Sequence, residues 1–477
     1  MISLSDCGIQ FYFRIRAFIN SISSTVCFLN LHIMTQSQES DTFDHRTTDV
    51  LPDEETEAKS DRWNYSSWIP KFPKLPKYTG QFPVGCYDLT WSYTEEKSDE
   101  AEPMDNETSK ETKHMLVRLY YPAEVTGAEK TATWLPSPNS AYAQGYGDFK
   151  KLPRWISIPA LVGMLSFTSI HASIEAKLAD VGPFANSTEH IDAGKENQFP
   201  VVIFSHGLGG CRTTYSSICG EIASHGFIVC AVEHRDGSAN ASALPKTERE
   251  IVSYRWPPVN DIDAEYHFRR EQLLFRVLEI QQTVQMLQKL NNGEIIGTEK
   301  ETQFQNRLDI SNVVMAGHSF GAATVIETLI AEKTFFKCGI LLDPWVLALE
   351  HESGNWRGEL VPTLDRPVLT INSEGFTQWK ESFDTLLPFI NANTHREHSP
   401  FLTVNNSLHM NQSDFPMLFR TVYGLKDKFG GKIDPEFAIR LNNRAILQFM
   451  RETIPVLRQF IANDELILSK DPNITAH

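Results

Sequence analysis

An α/β fold with a mostly parallel central sheet is predicted by three observations. Short apolar runs at 199–205, 227–232, 313–316, 338–342, 368–372 and 401–404 each end in polar or charged residues. Helical patterns lie between them, and a strand-helix-strand unit of this kind demands parallel strands joined by a right-handed crossover. The third observation is Gly317-His318-Ser319-Phe320-Gly321, set between the apolar run 313–316 and the helical stretch 322–330.

Gly-x-Ser-x-Gly between a strand and a helix is a nucleophile elbow, which narrows the class to the α/β-hydrolase fold. The turn is too tight for a side chain near the serine, hence the two glycines. Ser319 is expected in strained backbone with its hydroxyl thrust outward. The helix N-terminus behind it favours the negative charge that an attacked ester carbonyl develops.

In chain order, residues 1–34 place Arg14 and Arg16 before an uncharged stretch that resembles a targeting segment, and Met34 is an alternative start. Polar interruptions make this stretch a poor membrane span. The opening is not Met-Gly, so N-myristoylation is not expected for this start. Residues 35–61 read as a disordered acidic linker. The catalytic domain is expected over 62–465. It begins with irregular Pro- and aromatic-rich chain, then a hairpin with strands at 87–93 and 116–121. The charged stretch 94–113 between them reads as an exposed insertion. Residues 151–176 are apolar and read as a core or cap helix, or as a lipid-facing surface. Trp155, Ile156, Leu161, Leu165 and Phe167 are its candidate membrane or acyl contacts. Helices are expected at 214–224 and at 266–290, where Leu273, Val277, Ile280, Val284 and Leu287 recur at spacings of three and four. A closing amphipathic helix spans 437–461, and 466–477 is a polar tail.

The elbow fixes what to look for next, because the partners of such a serine follow in the order Ser, then Asp or Glu, then His. Each should end a later strand, where α/β sheets gather their ligand sites. His409, after the last strand, is the candidate base. Two acids compete. Asp343 closes a strand in Leu-Leu-Asp-Pro-Trp, and Glu374 closes the next in Ile-Asn-Ser-Glu. The shorter arm and the rigid Asp-Pro-Trp setting favour Asp343, while the later position is the more usual one. The Phe320 N–H is one expected oxyanion donor. The other is Leu208, in the Gly-rich turn His206-Gly207-Leu208-Gly209. No Gly-Lys-Ser/Thr follows that turn, which argues against a phosphate loop.

Composition excludes other classes. A net charge of −16 repels phosphate backbones, so nucleic acid is not expected as a partner. Seven cysteines without Cys-x-x-Cys or metal-ligand spacing predict neither a metal nor a cofactor. They lean towards a reducing compartment, cytoplasmic with peripheral membrane contact. Seven N-x-S/T sequons lean towards a secretory or organellar one, but Asn240 and Asn411 fall near the expected site.

These same residues resemble a known family. FPVVIFSHGLGG at 199–210, RTTYS at 212–216, ASHGFIV at 223–229 and AVEHRD at 231–236 are similar to the platelet-activating factor acetylhydrolases. So are GHSFGAATV at 317–325, CGILLDPW at 338–345 and INSE at 371–374. The group comprises plasma and type II enzymes, also called lipoprotein-associated phospholipase A2. The acidic N-terminal stretch and the 94–113 insertion depart from the animal enzymes and suggest a non-vertebrate or fungal-type member. The resemblance implies Ser319 as nucleophile, Asp343 as acid, His409 as base, and Leu208 and Phe320 as oxyanion donors. It leaves Glu374 structural. It implies calcium-independent hydrolysis of short or oxidised sn-2 acyl chains from phospholipids, and contact with lipid aggregates through apolar helices. The alternatives on the same fold are a general carboxylesterase or neutral-lipid lipase, and a non-catalytic binding relative.

Overall fold

A computed structural model describes residues 73–96, 110–182, 195–244, 250–258, 261–295, 299–349, 362–420, 430–468 and 470–477. The expected targeting segment 1–34 and acidic linker 35–61 lie outside the described residues.

Strands β1 (Val84–Glu96) and β2 (Lys110–Glu124) form an antiparallel hairpin. β3 (Thr131–Thr133), β4 (Ser169–Ile174) and β5 (Lys177–Leu178) are short. β6 (Phe199–Ser205) and β7 (Ile228–Glu233) follow, and β8 (Ala241–Ala243) pairs with β9 (Ile251–Ser253) in a separate two-stranded ribbon. β10 (Leu308–His318), β11 (Phe336–Leu342), β12 (Val368–Ser373), β13 (Phe401–Val404) and β14 (Ile474–Ala476) complete the set. The main sheet runs β14-β13-β12-β11-β10-β6-β7-β2-β1-β4-β3, with β5 on β2. From β13 to β7 every neighbouring pair is parallel.

Burial on both faces explains why these central strands read as continuous apolar runs. In β6 every residue is buried, with Val202 and Phe204 in one core and Phe199, Val201 and Ile203 in the other. Helices Ser216–Ser224 and Pro435–Thr453 cover the first face. Helices Ile262–Asn292, Phe320–Ala331 and Lys380–Asn391 cover the second. The 31-residue helix Ile262–Asn292 starts where the Asp261 side chain caps the Ala264 N–H, and ends where Gly293 takes φ 74°.

Two expectations need correction. The stretch 94–113 is strand at both ends, because the hairpin ladder extends through Glu96 and Lys110, and only 97–109 lies outside the described residues. The apolar stretch 151–176 is helical only over Arg154–Leu165. Its remainder forms β4, which pairs with β1 in parallel and with β3 in antiparallel. Within the polar tail, β14 adds an antiparallel edge strand to β13. The closing helix ends at Thr453, and a 3-10 turn at Pro455–Gln459 continues it. Among the described residues, no helix is long and apolar enough to cross a membrane.

Candidate active site

Ser319 stands between β10 and helix Phe320–Ala331 with φ 56° and ψ −119°, a backbone conformation that costs a non-glycine residue on the order of 1–3 kcal/mol. The surroundings hold it there. Its N–H donates to the Leu342 carbonyl at 2.8 Å, and its carbonyl accepts from Ala322, Ala323 and Trp345. A side chain at Gly317 would run into the Gly321 carbonyl, and one at Gly321 into the Ser205 carbonyl, so both glycines answer to backbone contact. Ser319 is 9% exposed, at the base of a cleft of about 690 Å³.

Asp343 follows β11, is fully buried and takes φ 43°. Its carboxylate accepts from the Ser373 N–H at 2.5 Å, the Ser373 hydroxyl at 2.7 Å and His409 Nδ1 at 3.0 Å. These bonds hold an anion in a dry place and leave the His409 Nε2 edge for other work. The His409 ring packs between two others. His318 lies 4.4 Å away between centroids, and Phe376 is stacked at 6.3 Å. His409 and Ser319 both line the cleft. Among the described residues, no hydrogen bond or ion pair joins Glu374 to His409. Glu374 accepts from the Asn406 N–H and from Gln378, so it ties down the turn leading to His409.

Of the expected oxyanion donors, Leu208 lines the same cleft and Phe320 directly follows Ser319. In the turn after β6 the Gly209 N–H donates to Ser238 and the Gly210 N–H to Gly207, while the Leu208 N–H donates to no described backbone group. Phe320 opens its helix, where first-turn N–H groups have no intrahelical partner. Leu161 and Leu165 line the cleft, whereas Trp155 is 77% and Phe167 66% exposed. Ile156 is half-buried. The expected acyl and lipid contacts thus divide between the cleft and the outer surface.

The residues that hold the site were less visible in the sequence. Ser373 braces Asp343. Fully buried Arg276 donates to the His206 carbonyl at 2.8 Å, the Ser238 hydroxyl at 2.6 Å and Asp236 at 3.1 Å. Its guanidinium also stacks 4.5 Å from the Phe320 ring centroid. An arginine inside the helical pattern 266–290 was the available signal. Among the described residues, His318, Asp343 and His409 are close enough to share a cation, with ligand atoms within 4.8 Å. However, the Asp343 carboxylate already accepts from Ser373 and His409, and His318 Nδ1 is bonded to Tyr215. Asn240 and Asn411, whose sequons raised the question of glycans, are buried.

Burial pushes the His206, His234 and His318 pKa values well below the ordinary value, with Arg276 adding to the first two and His409 to the third. They are neutral when folded and become charged in the unfolded chain. Their stability contribution is therefore complete above about pH 6.5 and is lost as the pH falls below it. Glu279, 2.6 Å from His234, is pushed up by burial and by Asp236, and acts in the opposite sense. The three histidines outweigh this one opposing group. The thermal midpoint is expected to fall between about pH 6.5 and 5.5. A midpoint that holds or rises across that interval contradicts the reading.

The chain matches the family model described as platelet-activating factor acetylhydrolase, isoform II, over residues 69–474. It is 32% identical over 412 residues to the platelet-activating factor acetylhydrolase of Canis lupus familiaris, covering 84% of this chain and 82% of the relative. The Bos taurus enzyme of the same name is 30% identical over 411 residues, with the same coverage. Among solved structures, a ferulic acid esterase from Streptomyces cinnamoneus superposes with a TM-score of 0.56 at 19% identity, covering 85% of this chain and 99% of that one. At that identity the likeness speaks to the α/β-hydrolase fold alone. The family model and the two mammalian relatives together mean that this chain belongs to the platelet-activating factor acetylhydrolase, isoform II, family.

Proposed function

We propose that this protein is a calcium-independent serine phospholipase A2 that hydrolyses short or oxidised sn-2 acyl chains, including the acetyl group of 1-alkyl-2-acetylglycerophosphocholine. The observation that carries the reading is the strained Ser319 at the base of a largely apolar cleft, shared with a His409 ring that Asp343 holds at 3.0 Å. Ser319 attacks the sn-2 carbonyl while His409 takes its proton and passes it to the departing lysophospholipid hydroxyl. Asp343 keeps Nδ1 protonated, so Nε2 is the working nitrogen. The Leu208 and Phe320 N–H groups receive the oxyanion, and water activated by His409 frees the acyl-enzyme. The nucleophile, the proton relay and the oxyanion donors all come from the chain. Wild-type protein is expected to hydrolyse sn-2-acetyl phosphatidylcholine well ahead of the sn-2-oleoyl form in the presence of chelator. Equal rates on both, or a preference for long-chain neutral esters, would move the protein to the general lipases.

The reading includes peripheral contact of a cytoplasmic protein with lipid. Trp155 and Phe167 are exposed on the segment whose Leu161 and Leu165 face the cleft, so a lipid leaving a surface would pass directly inward. The five described cysteines are buried free thiols, in keeping with a reducing compartment. Trp155→Ala with Phe167→Ala is expected to shift the protein from the membrane pellet to the cytosolic supernatant on fractionation. An unchanged pellet fraction, or a glycosidase-sensitive mass, counts against it.

A further inference from the structure

A single buried hydroxyl bonds to chain neighbours of both oxyanion donors proposed above. Tyr215 precedes helix Ser216–Ser224 and is 5% exposed. Its Oη accepts from the Gly207 N–H at 3.0 Å and lies 2.8 Å from His318 Nδ1. Gly207 immediately precedes Leu208, and His318 immediately precedes Ser319 and Phe320. The hydroxyl therefore joins the turn after β6 to the elbow after β10. The two are in van der Waals contact here, since a side chain at Gly207 would meet Ser319 Cβ and the Tyr215 oxygen at 3.1 Å and His318 Nδ1 at 3.2 Å.

The direction of each bond follows from the groups themselves. An amide N–H can only donate, so the Gly207 bond occupies a lone pair of the Tyr215 oxygen. The phenolic proton is then available to His318 Nδ1, which accepts it in a neutral ring. Burial pushes the Tyr215 phenol up and the His318 ring down, so neither group charges near neutrality. The phenol is also fixed from behind. Its ring packs on Phe204 at 4.9 Å. The helix start beside it is locked by Asp414, which accepts from the Ser216 N–H at 2.8 Å, the Ser216 hydroxyl at 2.6 Å and the Ser217 N–H at 3.1 Å.

We infer that Tyr215 is a positioning residue that sets the separation of the Leu208 and Phe320 N–H groups, and through His318 the seat of the His409 ring. The inference rests on the ester-hydrolase reading above. Oxyanion donors act by being in place before charge develops, so a turn free to drift loses stabilisation of the tetrahedral intermediate while ground-state binding is kept.

Tyr215→Phe removes only the hydroxyl. Measured on p-nitrophenyl acetate, it is expected to lower kcat about 10- to 100-fold with little change in KM. Affinity for a trifluoromethyl ketone, whose hemiketal carries the oxyanion, is expected to fall by a similar factor. Tyr121→Phe deletes another buried hydroxyl bond, to the Ala176 carbonyl at 2.8 Å, and should leave both quantities unchanged. His318→Leu breaks the same bridge at its other end. The double variant is expected to lose no more than the worse single one, as coupled residues do. If Tyr215→Phe does not fold, His318→Leu is judged on the same two measurements. Wild-type kcat in Tyr215→Phe, or a lowered kcat with ketone affinity intact, overturns the assignment. A wild-type protein inert towards p-nitrophenyl acetate overturns the ester-hydrolase reading instead.

Discussion

Ser319→Ala is expected to give a folded protein whose turnover of acetyl-phospholipid falls by about a million-fold. The substitution removes one oxygen and keeps the β-carbon, so the strained φ of 56° asks no more of alanine than of serine. The backbone bonds that hold the elbow, from Ser319 N–H to Leu342 and from Ala322, Ala323 and Trp345 to its carbonyl, involve no side-chain atom. Circular dichroism and the thermal midpoint should therefore stay close to wild type while kcat collapses. Labelling by an organophosphonate should vanish with it. What activity survives reports the oxyanion donors and binding alone, which still accelerate over water by about 10³–10⁴-fold. Near-normal turnover in the purified variant would mean that another group carries the chemistry.

The sequence exposed the central fold because burial there is two-sided. Runs such as 199–205 and 401–404 coincide with β6 and β13 at both ends, since every residue in them is buried. Edge elements carry no such signal. β3, β5 and β14 have two or three residues each, and β14 consists of partly or fully exposed residues in a polar tail. Hairpin pairing extends β1 and β2 well into charged sequence, because a ladder needs backbone groups and not apolar side chains. At the site, Ser319 and His409 could be named from the elbow and from chain order. Tyr215, Ser373 and Arg276 could not, as the bonds that join Tyr215 to His318, Ser373 to Asp343 and Arg276 to His206 span 103, 30 and 70 positions. A hydroxyl or guanidinium of this kind looks like any other until folding places a donor against it.

The choice between Asp343 and Glu374 shows the same limit and leads to the second large effect. Each residue directly follows a strand, β11 or β12, and both rules of position had a claim. Geometry separates them, since only Asp343 reaches His409, at 3.0 Å. Asp343→Asn is expected to cut kcat by about ten-thousand-fold. An amide in that place can offer its NH₂ to Nδ1, which stabilises the tautomer with the proton on the wrong nitrogen. Its NH₂ then replaces an oxygen that accepted from the Ser373 hydroxyl, which must turn to accept instead. Glu374→Gln keeps an acceptor for the Asn406 N–H and should hold kcat within about threefold of wild type. The pair of variants is read together on one substrate. A large loss at Glu374 with Asp343→Asn still active would transfer the acid's role to the later strand, and with it the account of how His409 is oriented.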